Sequence, residues 1–150
     1  MAKTIQGWVE ISSFHNKEDV DSDYGWIGLI DISSVIQFTD EITSLLFGNP
    51  NDFLNPNPQI IPIAKNRGLP KNPCWQLRKE IEDEKNYEPN SSFGYTYIMH
   101  EEIQCIDFEK HLNMNIEESD WLILFKMIDV FKERKINPID TIRLSIWYTQ

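Results

Sequence analysis

The sequence predicts an α+β fold in which a small, mostly antiparallel sheet of about four or five strands packs against two or three helices. Short apolar segments without helical spacing lie near both ends of the chain and predict strands. The longest helix is predicted near residues 120–135, where apolar residues recur at i, i+3, i+4 and i+7. A length of 150 residues without an internal repeat predicts a single domain over residues 1–150.

The strands are predicted in order along the chain. Residues 4–11 form the first, and residues 24–32 (YGWIGLIDI) form a second that is apolar on both faces and therefore central. We expect these two to pair as a hairpin. Residues 93–98 and 141–148 predict two further strands. In the last strand, alternation places four residues on one face and three on the other: Ile142, Leu144, Ile146 and Tyr148 against Arg143, Ser145 and Trp147.

The helices are predicted from caps and spacing. A short helix should begin after Thr39 and stop at Gly48. A second should start at Pro73 and run to about Glu84, and a third should be short, within residues 100–105. The second should face inward with Trp75, Leu77 and Ile81. The helix that starts at Trp121 should be largely buried, because Leu122, Ile123, Met127 and Val130 widen its apolar stripe of Trp121, Leu124, Phe125, Ile128 and Phe131.

One connecting region cannot be regular structure. Residues 49–58 hold three prolines and four asparagines, which predicts a turn-rich loop. Residues 60–63 then predict an edge strand, since Pro62 lacks a donor for a strand ladder.

The negative charge is concentrated in one part of the chain. The formal net charge is −10; residues 80–120 carry a net −10, and the flanking parts carry −2 and +2. Such a surface repels a phosphate backbone, which argues against direct nucleic-acid binding. It attracts a protein partner with a basic surface. Acidity that serves solubility alone is the alternative interpretation.

The expected location is cytoplasmic. The first eight residues lack a long apolar segment, and no apolar run approaches the length of a membrane span. Cys74 and Cys105 are too few for a disulfide framework and form no CxxC pair, so both are expected to be reduced thiols.

Motifs that define enzyme classes are missing from the sequence. It contains no Gly-rich phosphate loop, no GxSxG and no HExxH. Asp19, Asp21 and Asp23 alternate as in a calcium loop, but Tyr24 and Ile30 replace the glycine and glutamate that such a loop requires. A second group, between His100 and His111, collects His, Cys and carboxylates at a spacing unsuited to a simple helical metal pair. We therefore predict no metal, no cofactor and no catalytic residue.

Aromatic residues are numerous for a chain of this size. Tyr95, Tyr97, Trp147 and Tyr148 lie on predicted strands whose second face is either open or covered by helices. An open aromatic face rimmed by acids would suit a protein interface or a stacked base.

Several short segments, in order along most of the chain, look like those of one protein family. They are Gly7-Trp8-Val9-Glu10, Leu46-Phe47-Gly48, Arg67-Gly68-Leu69-Pro70, Glu101-Glu102-Ile103 followed by Asp107-Phe108, and Arg143-Leu144 before Trp147-Tyr148. The chain thereby resembles a family of small bacterial and phage-borne proteins with no assigned function. This resemblance implies a bacterial or phage origin, for which toxin immunity and counter-defence are relevant roles.

Three functional hypotheses follow. The first is a non-catalytic acidic protein, an inhibitor of the immunity or counter-defence type, that binds a basic protein partner through Glu80, Glu82, Glu84, Glu88, Glu101 and Glu102. The second is a small-molecule or nucleotide binder that uses Arg67, Arg143 and Trp147. The third is an enzyme with a site around Asp31, His100 and Glu101. Asp31 also suits a simpler role as a cap for the turn at Ser33 and Ser34.

Overall fold

The computed structural model describes residues 3–12, 25–48, 60–133 and 141–150. The predicted α+β class is confirmed: one four-stranded antiparallel sheet is combined with helices. The strands are β1 (Thr4–Ser12), β2 (Trp26–Asp31), β3 (Ser92–Met99) and β4 (Ile142–Thr149), in the spatial order β2-β1-β4-β3. The α-helices are α1 (Glu41–Phe47), α2 (Trp75–Tyr87), α3 (His100–Gln104), α4 (Phe108–His111) and α5 (Asp120–Glu133). The aspartates at positions 19–23 and the predicted loop at 49–58 lie outside the described residues.

The centre of the sheet joins strands from the two ends of the sequence. β1 and β4 pair without a break from Thr4 opposite Thr149 to Ile11 opposite Ile142. Gly7 allows this close pairing, because a Cβ at that position would collide with the carbonyl oxygen of Ser145. Its φ of 154° is also unfavourable for a residue with a side chain.

The predicted hairpin partner of β1 is confirmed, but its predicted central position is wrong. β2 pairs antiparallel with β1 and lies at one edge of the sheet. Each face of this strand is packed in part: Ile30 contributes to the main core and Trp26 packs against a second core on the opposite face, whereas Ile27 is exposed. A strand with apolar residues on both faces can therefore lie at the edge of the sheet.

The main core occupies one face of the sheet. The predicted alternation of β4 is confirmed: Leu144 and its alternate neighbours face this core, whereas Trp147 belongs to the second core. Helices α1, α3 and α5 contribute further buried side chains, which include Ile42, Leu46, Phe47, Ile103, Trp121, Leu124, Phe125 and Ile128.

Residues 60–63 form no strand, contrary to the prediction. The amide groups of Ile63 and Ala64 instead donate to the carbonyls of Leu45 and Leu46, at 2.9 and 2.8 Å. A helix leaves its last carbonyls without partners, so this segment satisfies the C-terminal end of α1. Asp40 caps the other end of α1 with bonds to the amides of Ile42 and Thr43.

Two predictions about helix burial are wrong. Trp75, expected to face inward, begins α2 with 65% of its surface exposed, whereas Leu77 and Ile81 are buried as predicted. In α5, Trp121 and Leu124 are fully buried, but four residues counted as inner ones are open to solvent: Ile123, Met127, Val130 and Phe131. None of the described helices combines the length and the apolar character needed to cross a bilayer.

Candidate functional site

The second face of the sheet is covered by α2. Alternation in β1 and β4 turns Trp8, Glu10 and Trp147 toward this helix, whose Leu77 and Ile81 are buried against them. The ring of Tyr95 on β3 stacks on Trp147 with centroids 6.4 Å apart. The aromatic face predicted from the sequence is therefore not open. Trp147 is buried beneath α2, and Tyr148 is buried in the main core on the opposite face of the sheet.

Two carboxylates of α2 hold the helix on the sheet. Glu80 accepts a hydrogen bond from the indole Nε1 of Trp8 at 3.1 Å, and Glu84 accepts one from Nε1 of Trp147 at 2.6 Å. The two acids are four positions apart, so they share one side of the helix. Burial is the main reason that the pKa of Glu80 is raised. The charges of Asp31 and Glu84 raise it further, and the hydrogen bond from Trp8 lowers it.

A fully buried carboxylate, Glu10, lies at the start of α2. Nε of Arg143 is 3.0 Å from its Oε1, and the hydroxyl of Ser145 donates to the same oxygen. The other oxygen accepts from the backbone amide of Cys74, at 2.6 Å. Cys74 precedes the first residue of α2 and its side chain makes no cap, so Glu10 supplies a negative charge at this helix N-terminus from the neighbouring strand.

The guanidinium group of Arg143 also makes contacts beyond its pair with Glu10. Its Nη atoms donate to the carbonyls of Lys71 and Asn72 at 3.1 and 3.0 Å. Its guanidinium lies over the ring of Trp26, 3.6 Å from the centroid. Every charged atom of the Glu10–Arg143 pair thus has an internal partner, and the pair joins β1 and β4 to the segment that leads into α2.

The Cys74 thiol beside this pair is not activated. Burial is the main reason that its pKa is raised to about 12, and the nearby Glu10 carboxylate acts in the same direction. A thiol of that pKa stays protonated near neutral pH, whereas nucleophilic cysteines have lowered values.

An acidic cleft of about 450 Å³ opens at the other end of α2. It lies between the last turns of the helix, the turn that follows and the end of β4. Tyr87, at its edge, has 87% of its surface exposed. We call this the acidic cleft; its lining residues are Asp83, Glu84, Tyr87, Glu88, Ser91, Thr149 and Gln150.

A second cleft, of about 330 Å³, runs along the opposite side of α2. Leu69, Leu77 and Ile81 give it an apolar floor, and Glu82 and Lys85 stand at its rim. The two clefts leave the outer side of α2 as a ridge between them, with Trp75 at its beginning and Tyr87 at its end.

The six glutamates of the first hypothesis do not form one outward surface. Glu82, Glu88 and Glu101 are exposed. Glu80 and Glu84 are bonded to the sheet, as described above. Glu102 forms a double hydrogen bond with Arg67, at 2.8 and 2.9 Å, which lowers the pKa of Glu102. Part of the negative charge of residues 80–120 is therefore used in contacts within the fold. Asp83, which is not one of the six glutamates, is also exposed.

The three residues of the second hypothesis are engaged within the chain. Arg67 binds Glu102 beside β3 and lies 5.8 Å from the ring centroid of Tyr97. Arg143 pairs with Glu10, and Trp147 is buried under α2. A phosphate ligand at either arginine would have to displace a carboxylate.

The residues of the third hypothesis end strands at opposite edges of the sheet. Asp31 on β2 lies opposite Trp8 on β1, which lies opposite Ser145 on β4. Ser145 in turn lies opposite Tyr97 on β3, and His100 directly follows β3. Three strand spacings separate the two edges, about 14 Å, which is too far for shared acid–base chemistry. Asp31 instead bonds the amide of Ser33 at 3.0 Å, so its simpler role as a cap is confirmed.

The candidate metal ligands are also dispersed. His100 is buried and lies 3.9 Å from Asp129 of α5, whereas Cys105 and His111 are exposed. Within the ranges that the structure describes, no three His, Cys, Asp or Glu side chains come together as a metal site.

Sequence reasoning missed Glu10, the most completely buried acid among the residues that the structure describes, and Tyr87. A signal for Glu10 existed: a lone acid between Val9 and Ile11 of an apolar strand requires an internal cation, and Arg143 interrupts the last strand in the same way. For Tyr87 there was no such signal, since its exposure depends on where α2 ends.

Comparison with known proteins found no relative of this chain. No family model, no curated protein and no solved structure matches the chain. The resemblance to a bacterial and phage family therefore stays a prediction.

Proposed function

We propose that the protein is a non-catalytic, acidic binding protein that engages a protein partner with a basic surface. The observation that carries this proposal is the acidic cleft, where Asp83, Glu84 and Glu88 surround a cavity beside the exposed ring of Tyr87. A lysine or arginine that enters it would meet carboxylates and an aromatic face together.

The position of these acids on α2 supports a binding role. The C-terminal end of a helix carries partial negative charge, so acidic residues in the last turn are unfavourable for the helix itself. The end of α2 nevertheless has Asp83, Glu84 and Glu88, with Lys85 as its basic residue. Asp83 pairs with Lys79 at 3.0 Å. A cation bound in the acidic cleft would therefore chiefly relieve the repulsion between Glu84 and Glu88 and their conflict with the helix dipole.

The ridge of α2 supplies the remaining parts of an interface. Tryptophan and tyrosine are enriched among residues that dominate binding energy, and Trp75 and Tyr87 stand exposed at its two ends. The apolar floor of the second cleft would accept an aliphatic side chain of the same partner. Basic anchors would set orientation and association rate, and apolar contacts would slow dissociation.

Partners with such a basic surface include enzymes that bind nucleic acid. Occupying that surface would block the enzyme without catalysis by the acidic protein. The proposed role is therefore an inhibitor of the immunity or counter-defence type, acting in the cytoplasm of a bacterial host.

The test compares two variants of equal net charge. The partner is isolated by crosslinking through a photoreactive residue at position 87, and its association is then measured at several salt concentrations. We expect Glu82→Lys/Asp83→Lys/Glu88→Lys to abolish binding and the control Glu109→Lys/Glu117→Lys/Glu118→Lys, at exposed positions away from α2, to retain it. Equal losses in both variants would contradict a specific site on α2, as would an association rate that salt does not change.

A further inference from the structure

The second cleft combines its apolar floor with two cations. Arg78 and Lys85, both exposed, line it on the side of α2. Among the described residues that line the cleft, Glu82 is the single acid. The second cleft therefore carries net positive charge, on a helix whose other side borders the acidic cleft.

The fold leaves Arg78 without an ionic partner. Its neighbour Lys79 pairs with an aspartate, and Arg67 and Arg143 each bind a glutamate. Among the described residues, no carboxylate lies within ion-pair distance of Arg78. This arginine also lies one turn into α2, near the positive end of the helix dipole, where a cation is unfavourable. An anion bound at its guanidinium would offset both positive charges.

The size and lining of the second cleft suit a small molecule. Ligand sites occupy about 300–1,000 Å³, and their mainly apolar walls carry a few polar groups that fix the orientation of the ligand. The second cleft, at about 330 Å³, lies at the lower end of this range. Its volume equals that of roughly eleven molecules of liquid water, which is close to the roughly ten non-hydrogen atoms of octanoate.

The positions of the two cations indicate how such a ligand would lie. Arg78 and Lys85 are seven residues apart, or about 10.5 Å along the helix axis. A planar guanidinium can hold a carboxylate through two parallel hydrogen bonds, which places the head group at Arg78. The tail would then follow the apolar floor toward Lys85, whose ammonium group lies 5.8 Å from the ring centroid of Tyr95. The methylene groups of this lysine would extend the apolar wall.

We infer that the second cleft is a binding site for a small amphiphilic carboxylate of the medium-chain fatty-acid class, with Arg78 as the head-group residue. This site goes beyond the proposed partner site, because it requires no protein partner. The tail of the ligand and an aliphatic side chain of the partner would occupy the same floor, so the two would compete.

The first test is a titration of the isolated full chain with octanoate, followed by the NMR shifts of the amides of Leu69, Leu77 and Ile81. We expect saturable binding of one octanoate per chain. Butanoate should bind at least about tenfold more weakly, because four fewer CH₂ groups leave water. Octylammonium, which has a similar tail and a cationic head, should also bind at least about tenfold more weakly because the arginine repels it. Equal affinities for octanoate and octylammonium, or no saturation by octanoate in the millimolar range, would overturn the inference.

Three single substitutions along α2 test the assignment of the head-group residue. Arg78→Gln should weaken octanoate binding about fivefold or more, and Glu82→Gln should strengthen it by removing the acid of the cleft. The matched control is Lys79→Gln, which makes the same change of charge one position away, outside the cleft, and should leave the affinity within about twofold of wild type. Circular dichroism checks that all three variants fold.

Equal affinities of Arg78→Gln and Lys79→Gln for octanoate would show that the ligand does not bind at Arg78, which would overturn the inference. The titrations contain no protein partner. Their failure would therefore leave the proposed role of the acidic cleft intact, and the loss of that role would leave the octanoate site intact.

Discussion

Glu10 and Arg143 are direct partners in the register of β1 and β4, and Nε of the arginine lies 3.0 Å from Oε1 of the glutamate in the sheet interior. Both side chains are buried, at 0% and 5% exposure. Placing two charges away from water is costly unless every hydrogen-bonding atom is satisfied. Here the bonds to Ser145, to the amide of Cys74 and to two backbone carbonyls meet that condition.

Removal of the cation from this pair should destabilise the protein strongly. In Arg143→Met the Glu10 carboxylate stays buried without its counter-charge, so we expect a loss of about 3–5 kcal/mol in the free energy of unfolding. Urea denaturation followed by fluorescence measures it. The matched control is Lys79→Met, which removes a cation from an exposed i, i+4 pair with Asp83 and should leave the urea midpoint unchanged. Similar midpoints for both variants would contradict a structural role for the buried pair.

The surroundings of Glu84 show how far the sequence could predict the fold. The structure confirms four of the five predicted strands, their alternation and the starts of most helices, all of which follow from local spacing. The predicted strand at residues 60–63 is not formed. The side of α2 that faces the sheet also follows, because Leu77 and Ile81 mark it. What an acid does on that side does not follow from local pattern: Glu84 contacts Trp147 across 63 positions of sequence, and only the sheet order brings them together.

The bond between Glu84 and Trp147 should contribute measurably to stability. In Glu84→Ala the buried indole N–H loses its acceptor, which should cost about 1–3 kcal/mol. Glu82→Ala, two positions away on the exposed side of the same helix, should change stability by no more than about 0.5 kcal/mol. Thermal and urea unfolding of both variants provide the comparison. An equal effect of the two substitutions would indicate that helix propensity, and not the indole bond, dominates.

The two cysteines should differ sharply in reactivity. Cys74 is buried, with its pKa raised to about 12, whereas Cys105 is exposed after α3. A thiol reagent such as DTNB at pH 8 should therefore label one cysteine per native chain and two after denaturation in urea. The variant Cys105→Ser should show no rapid labelling until it unfolds. Rapid native labelling of that variant would contradict the burial of Cys74.

The burial of α5 marks the limit of reasoning from periodicity. The positions of Leu124 and Ile128 predict a buried side, and that side is confirmed. Ile123 and Val130 are just as apolar, but they lie on the other side of the helix axis, where the fold places solvent. Periodicity identifies apolar sides without stating whether the same chain covers them, which is why the sequence predicted burial where the structure has an exposed stripe.

Acidification should weaken the fold through His100. Burial is the main reason that its pKa is lowered, and the charge of Lys132 adds to this effect, while Asp129 and Glu101 oppose it. Below the ordinary histidine value of 6.5, the unfolded chain binds a proton that the folded chain resists. The free energy of unfolding should therefore fall as the pH drops from 7.5 to 5.5, and that of His100→Gln should fall less over the same range.

His111 provides the control for this titration, because it is an exposed histidine on α4. His111→Gln should keep the full pH dependence of the wild type in urea denaturation at pH 5.5, 6.5 and 7.5, whereas His100→Gln should lose part of it. The difference between the two curves reports on the buried imidazole, since both variants keep every carboxylate of the chain. If both variants retain the same slope, the protonation of His100 does not differ between the folded and unfolded states.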